Sequence, residues 1–170
     1  DSDFGSRLAF NTATGSYEVK REATEIEGFE GSVGFRVNDA ARVGLAYAQA
    51  DGRYDSNADG VLDSDLPGAN ISPDRMTAYW QHQWLPGLST RVQASHSEDR
   101  AFETRGVVDS RFEGYTTFDL QANVGLPVGT LAVGIENVFD RQYIHYSSQI
   151  RPSDEDYFAG RGRVFSASWS

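Results

Sequence analysis

The stretch with the most explicit ligand chemistry is Asp55-Ser56-Asn57-Ala58-Asp59-Gly60-Val61-Leu62-Asp63. It places oxygen ligands at positions one, three and five, glycine at the sharp turn at six and aspartate at nine, as a calcium loop begins. Position twelve should close the shell with a bidentate carboxylate, yet Leu66 stands there, followed by Pro67. No amphipathic helix flanks the loop on either side. With Asp65 substituting one place early, Asp55, Asn57, Asp59, Asp63 and Asp65 would form a weak surface calcium site. A hydrated acidic turn uses the same residue types.

Other chemistry is sparse. The three histidines, His82, His96 and His145, fit no helical metal-ligand spacing and fall on different expected strands. There is no cysteine, which removes disulfides, thiolate metal sites and thiol nucleophiles. No Gly-x-Ser-x-Gly turn occurs, and Gly160-Arg161-Gly162-Arg163 opens a strand, so no helix N-terminus awaits a phosphate. No catalytic residue and no cofactor is assigned; the expectation is a protein that is not an enzyme.

The elements that must position these residues are strands. Two-residue alternation runs through nearly the whole chain. Phe118, Leu120, Ala122, Val124 and Leu126 share one face, against Thr117, Asp119, Gln121, Asn123 and Gly125 on the other. Val33, Phe35 and Val37 oppose Ser32, Gly34 and Arg36, and Phe165, Ala167 and Trp169 oppose Ser166, Ser168 and Ser170. Eight strands are expected, over 6–14, 17–37, 41–52, 74–85, 88–104, 112–126, 129–147 and 159–169. At 170 residues the chain is one structural unit, with no composition shift inside it.

Charge and hydropathy narrow the class. Fifteen basic against 25 acidic residues leave a net charge of −10, which argues against a nucleic-acid partner. Mean hydropathy is −0.50, with no apolar run long enough for a spanning helix. A membrane β-barrel passes this test, because its strands alternate and average out as hydrophilic. The connections favour one. Val37-Asn38-Asp39-Ala40, Leu85-Pro86-Gly87-Leu88 and Leu126-Pro127-Val128-Gly129 are tight, whereas 51–75, 103–113 and 146–161 are long and polar. Strict alternation of short and long connections is the outer-membrane pattern. Trp80, Trp84, Tyr143, Tyr146, Tyr157, Phe158 and Trp169 stand near expected strand ends, where a barrel carries aromatic girdles.

Five segments in order then resemble the TonB-dependent outer-membrane receptors. They are Thr24-Glu25-Ile26-Glu27-Gly28-Phe29-Glu30, Ile71-Ser72-Pro73-Asp74-Arg75-Met76-Thr77, Gly114-Tyr115-Thr116-Thr117-Phe118-Asp119-Leu120, Ile135-Glu136-Asn137-Val138-Phe139-Asp140-Arg141-Gln142-Tyr143, and Gly160-Arg161-Gly162-Arg163-Val164-Phe165. The acidic loop and hydrophilic strand ends look most like ferric hydroxamate and aerobactin-type receptors. The resemblance implies an all-β, antiparallel up-and-down meander of about eight transmembrane strands, part of a larger 22-stranded barrel. Residues 1–170 would be the C-terminal segment, without the N-terminal plug and earlier strands. One departure is the ending Trp169-Ser170, where the family ends on an aromatic.

The same resemblance implies localisation in the outer membrane of a Gram-negative bacterium and uptake of a ferric siderophore. The implied partners are that siderophore, the inner-membrane TonB protein through the plug, and lipopolysaccharide. A ferric siderophore is an oxygen-rich, often anionic chelate with its metal already coordinated, so a receptor needs cationic forks and aromatic surfaces rather than metal ligands. Arg100, Arg105, Arg111, Tyr115, Tyr146, Gln149, Arg151 and Tyr157 are the expected ligand-binding residues of the external loops. Two rival readings stand beside this one. They are a complete eight-stranded outer-membrane barrel with a structural or adhesion role, and a secreted soluble β domain carrying the calcium loop.

Overall fold

The computed structural model describes residues 2–150 and 158–170, with residues 2–4 at backbone level. Its elements are β1 (Ser2–Asn11), β2 (Ser16–Arg36), β3 (Ala41–Tyr54), β4 (Ser64–Asp65), β5 (Arg75–Leu85), β6 (Leu88–Ser97), β7 (Arg100–Thr104), β8 (Val107–Phe112), β9 (Tyr115–Leu126), β10 (Gly129–Glu136), α1 (Tyr146–Gln149) and β11 (Val164–Trp169). Eight of these form an antiparallel wall in the order β1-β2-β3-β5-β6-β9-β10-β11. The other three strands, β4, β7 and β8, branch from the upper end of β3.

Register converts alternation along each strand into two continuous faces. One row runs Phe35, Val43, Trp80, Val92, Leu120, Ile135 and Phe165 across seven strands. The row above it contains Val33, Leu45, Ala78, Ala94 and Phe118, and a lower one Leu88, Val124, Leu131 and Trp169. On the opposite face the rows read Arg36, Arg42, Gln81, Arg91, Gln121 and Ser32, Ala46, Thr77, Ser95, Thr117. A slip of one residue at any pair would break both faces, so the pattern itself pins the pairing.

The apolar face lies bare. Phe35 is 63% and Phe165 70% exposed, and no second sheet packs over them among the described residues. A soluble sandwich would bury this face against a partner sheet about 10 Å away. From Phe118 to Leu126 the band runs about 27 Å along the strand at ~3.4 Å per residue. At the ~40° tilt of outer-membrane strands this is about 21 Å of height, close to their apolar belt of ~25 Å. Among the described residues buried hydrophobics are few, and Tyr54, at the end of β3, packs with Leu66 and Ile71 of the connection that follows.

The wall is open. Outer strands β1 and β11 do not pair with each other, and β1 meets only the upper half of β2, from Thr24 outward. Residues 25–36 of β2 therefore present an unpaired edge level with the apolar band. In hydrocarbon an unpaired strand edge is untenable, so the described residues do not make a closed eight-stranded barrel.

Strand bounds differ from expectation where turn chemistry went unread. The expected strand 88–104 breaks after Ser97, and the supposed loop 103–113 is largely the hairpin β7–β8. Its two-residue turn is Arg105-Gly106, both at positive φ (51° and 76°), the primed type that matches strand twist. Arg105 hides that turn, because asparagine or aspartate usually marks the position. The expected strand 129–147 ends at Glu136, since Asn137 (φ 49°) and Asp140 (φ 53°) turn the chain. The last strand begins at Val164 rather than 159, and the first covers 2–11 rather than 6–14. The three tight turns all lie at one end, as expected. Asn38 closes the first by accepting the amides of Ala40 (2.9 Å) and Ala41 (2.8 Å) through Oδ1.

The aromatic belt is only partly realised. Trp80, Trp84 and His82 cluster on the apolar face towards the tight turns, with Trp84 Nε1 donating to Thr90 Oγ1 at 2.8 Å. Trp169 lies on the same face. Tyr143 stacks on the polar face and Tyr146 is half-buried between loops, so neither belongs to a girdle. Phe158 is exposed in the last long connection, and Tyr157 lies outside the described residues.

Candidate functional site

The long connections fold inward over the polar face. Leu66 and Ile71 rest on β3 at Gly52, where an added Cβ would come 2.6 Å from Leu66 Cδ1. Arg7 covers the Tyr54 ring at 4.0 Å and pairs with Glu22. The external loops are therefore packed on the wall rather than splayed from it.

The acidic loop is organised by its own carboxylates. Asp55, 4% exposed, accepts amides from Asn57 (3.1 Å), Ala58 (2.7 Å), Asp59 (3.3 Å) and Gly60 (2.7 Å). Burial pushes this carboxyl up, and those amides more than reverse it, leaving it below the usual range. Asp63 is likewise raised by desolvation but held down at about 2 by the Ser56 amide and hydroxyl, the Ser64 hydroxyl and Arg105. Asp65 accepts the Glu103 amide at 3.0 Å, and Asn57 donates to Asp59 at 2.8 Å. The sequence-predicted calcium ligands thus spend their oxygens on the loop. Among the described residues no group of three or more acidic or histidine side chains is arranged to share a metal ion.

Three of the expected ligand residues act as braces. Arg100 donates to Ala50 O (2.7 Å), Ser72 O (3.2 Å) and Asp51 (2.9 Å), tying the hairpin to β3. Tyr146 donates to Gly68 O (3.0 Å) and to Ile71 O, and meets Phe112 edge-on at 4.9 Å. Burial pushes its phenol up to about 12, opposed by nearby Arg100. Gln149 receives the Glu113 amide (2.9 Å) and donates to Glu113 O (3.0 Å) and Ile144 O (2.9 Å). Arg105 clasps Ser56 (2.9 Å) and Asp63 (3.1 Å) from the hairpin tip while remaining half exposed. The Arg111 side chain is exposed and makes no hydrogen bond or ion pair to a described residue. Arg151 lies outside the described residues, as does Tyr157.

Tyr115 is different. It faces the polar side at the top of β9 and stacks on Tyr143 at 4.0 Å and 26°. Arg75, Ser97 and Tyr115 occupy one cross-strand row, so an exposed guanidinium lies beside the stacked phenols. Next to Tyr143 opens a cleft of about 320 Å³ lined by Thr117, Asp119, Glu136, His145 and Arg161. Asn137 builds it. Buried in the left-handed conformation, it donates Nδ2 to Arg141 O (3.0 Å) and Arg161 O (3.1 Å) and accepts the Arg141 amide (2.9 Å). Its own amide donates to Asp119 at 2.9 Å. Arg75, Tyr115, Tyr143 and Arg161 offer cations and ring faces to an oxygen-rich ligand, while Asp119 and Glu136 put two carboxylates into the lining of the same cleft.

Comparison with known proteins fits this geometry. No family model matches the chain. The ferric aerobactin receptors of Escherichia coli and Klebsiella pneumoniae are each 38% identical over 109 residues, which is 58% of this chain and 14% of either receptor. Among solved structures, the copper transporter OprC superposes with a TM-score of 0.73 at 17% identity, covering 95% of this chain and 26% of that one. FpvA of P. aeruginosa, bound to a heterologous pyoverdine, gives 0.64 at 19%, covering 98% and 23%. The ferric-catecholate import receptor Fiu of E. coli gives 0.60 at 23%, covering 93% and 22%. The chain has the fold of the barrel wall of these receptors, and over 109 residues it is similar in sequence to the ferric aerobactin receptors. The aligned segment spans about one seventh of the length of the curated relatives it matches.

Of the receptor wall's inward-facing cluster, only Tyr115 was picked out from sequence. Arg75, Tyr143 and Arg161 lie inside the motifs that carry the family resemblance, where strand parity marks Arg75 as inward. His145 had no signal. Its place depends on how the 137–163 connection folds back.

Proposed function

We propose that residues 1–170 form the C-terminal stretch of the barrel of an outer-membrane receptor that takes up a ferric siderophore, powered through TonB acting on a plug domain elsewhere in the protein. The observation that carries the reading is the 38% identity to ferric aerobactin receptors, borne by a wall with one unbroken apolar face. The Arg75, Tyr115, Tyr143 and Arg161 cluster supports an anionic, oxygen-rich substrate. Arg111, exposed on the hairpin, supplies further cationic surface. On this reading the exposed apolar face meets outer-membrane lipid, and lipopolysaccharide meets the strands above it. The acidic loop around Asp55, whose carboxylates bind its own amides, has no part in this reading.

The test is uptake of radioactive iron as ferric aerobactin by cells whose only such receptor is the full-length protein. TonB-dependent uptake supports the reading. Losing Arg75 and Arg161 together, as alanines, should weaken binding about 10–100-fold, the loss of one net charge-assisted hydrogen bond at ~1.5–3 kcal/mol. Uptake that is absent, or unchanged when TonB is deleted, would refute it.

A further inference from the structure

Two histidines stand on the apolar face, and the wall treats them differently. His96, in one cross-strand row with Met76 and Thr116, has both ring nitrogens bonded, Nδ1 to Thr116 Oγ1 at 2.8 Å and Nε2 to Glu98 Oε2 at 2.7 Å. His82 has neither. Its Nδ1 is the one buried side-chain nitrogen or oxygen without a hydrogen-bond partner among the described residues, and Nε2 has no partner among them either. An imidazole whose Nδ1 is shut away from any acceptor carries its N–H on Nε2. In an apolar setting that donor is a cost unless something outside the chain accepts from it.

The surroundings of His82 on the wall are complete. Its strand, β5, has β2 and β3 on one side and β6, β9, β10 and β11 on the other, so no further strand of a barrel reaches it. A plug would touch only the opposite, polar face. Trp80 stacks on the His82 ring (5.4 Å, 28°) and Trp84 meets it edge-on (4.3 Å, 61°). Trp84 Nε1 donates to Thr90, the residue directly across from His82, so its ring is held against the histidine rather than turned to the interface. Along the same row Thr90 and Ala122 are small, which leaves a shallow recess beside the imidazole. His82 precedes the Pro86-Gly87 turn by four residues. That is about 10 Å along the membrane normal at ~3.4 Å per residue and ~40° tilt. The polar layer of a leaflet is about 5–7 Å deep, so the ring lies where headgroups give way to hydrocarbon.

We propose that His82, held by Trp80 and Trp84, docks the phosphate of a glycerophospholipid in the leaflet on the tight-turn side. The inference rests on the reading that the apolar face meets membrane lipid. An ionised phosphate oxygen is the strongest acceptor at this depth, and the recess beside the ring takes the glycerol end of the same lipid.

The test uses the full-length receptor in dodecyl maltoside, a detergent without phosphate, with added phosphatidylglycerol or monogalactosyl diacylglycerol. The second lipid has the same acyl and ester groups but no phosphate, and native mass spectrometry reads how much of each is retained. The wild type should hold the phospholipid about 10–100-fold more tightly, the effect of one charge-assisted hydrogen bond. His82→Phe, which keeps a ring of similar size, should hold both lipids equally, and His96→Phe should leave the preference unchanged. A preference that survives His82→Phe overturns the proposal. Should that variant fail to fold, the wild type still decides. Labelling of His82 by diethyl pyrocarbonate should slow about tenfold with the phospholipid at ten times its dissociation constant, and not with the galactolipid. Equal labelling with either lipid overturns it. Equal retention of both lipids by the wild type also overturns it but leaves the membrane reading standing, whereas retention of neither would refute that reading as well.

Discussion

Replacing Val92 by arginine tests the direction of the wall. Val92 lies in the middle row of the apolar face, flanked across the strands by Trp80 and Leu120. Arginine at the midplane of a lipid-facing barrel surface costs about 2–4 kcal/mol, falling to ~0–1 kcal/mol near the interface. Val92→Arg should therefore cost about 3 kcal/mol, a factor above one hundred in the folding equilibrium at ~1.36 kcal/mol per tenfold. Leu126→Arg, at the lower margin of the band, should cost about 1 kcal/mol or less. Gln93→Arg, one residue along and facing the bore, should be near neutral. The assay is reversible guanidinium unfolding of the full-length receptor from phospholipid vesicles, followed by tryptophan fluorescence and by heat-modifiable migration. A graded cost, with Val92 far above Leu126 and Gln93, is expected. If Gln93→Arg costs as much as Val92→Arg, or if Leu126→Arg equals Val92→Arg, the apolar face does not meet a membrane and the reasoning fails.

Asn137→Ala removes three hydrogen bonds at a buried, left-handed position and should destabilise the 137–163 connection by about 2–4 kcal/mol, with Asn137→Gly recovering only the backbone share; faster limited proteolysis of that connection checks it. Asp63 has a folded value of about 2 against 3.8 for the free group, so the clasp it makes is fully present above pH 4 and is lost as pH falls through 2. Protease sensitivity of residues 55–63 should therefore stay low at pH 4 and rise only near pH 2, whereas Asp63→Asn should make the loop sensitive at every pH. Gly44→Val lifts the Tyr79 ring from the wall and disturbs the Arg91 stack, for a cost of about 1–3 kcal/mol in guanidinium unfolding. An unfolding midpoint equal to the wild type would show that the ring does not lie against Gly44.

Much of this architecture was legible because strand alternation is a local property. Phe118 to Leu126 declares its two faces without help from any neighbour, and proline and glycine mark the tight turns at 85–88 and 126–129. The hairpin at Arg105-Gly106 was missed because its turn conformation is forced by strand twist on a residue that rarely signals it. The end of β10 was missed for a related reason. Asn137 reads as one more polar strand residue until its side chain is seen bonded to Arg161, twenty-four positions away.

The candidate site divides along the same line. Residue type alone nominated Arg100, Tyr146 and Gln149 for ligand binding, and each proved to hold one connection to another. Whether an arginine or phenol is free depends on which carbonyls lie within reach, and for these three the carbonyls come from segments up to seventy-eight residues distant. Arg75 and Tyr115 are joined through Ser97 by cross-strand register alone, and Tyr143 by a ring stack that requires the last connection to fold back. The amino-acid order by itself determined the strands, their polar and apolar faces and the end bearing the tight turns, because these follow from side-chain period and backbone preference within a few residues. Only the tertiary structure decided which charges are spent on the loops and which face the bore unpaired, because that depends on distances between segments that no local pattern encodes.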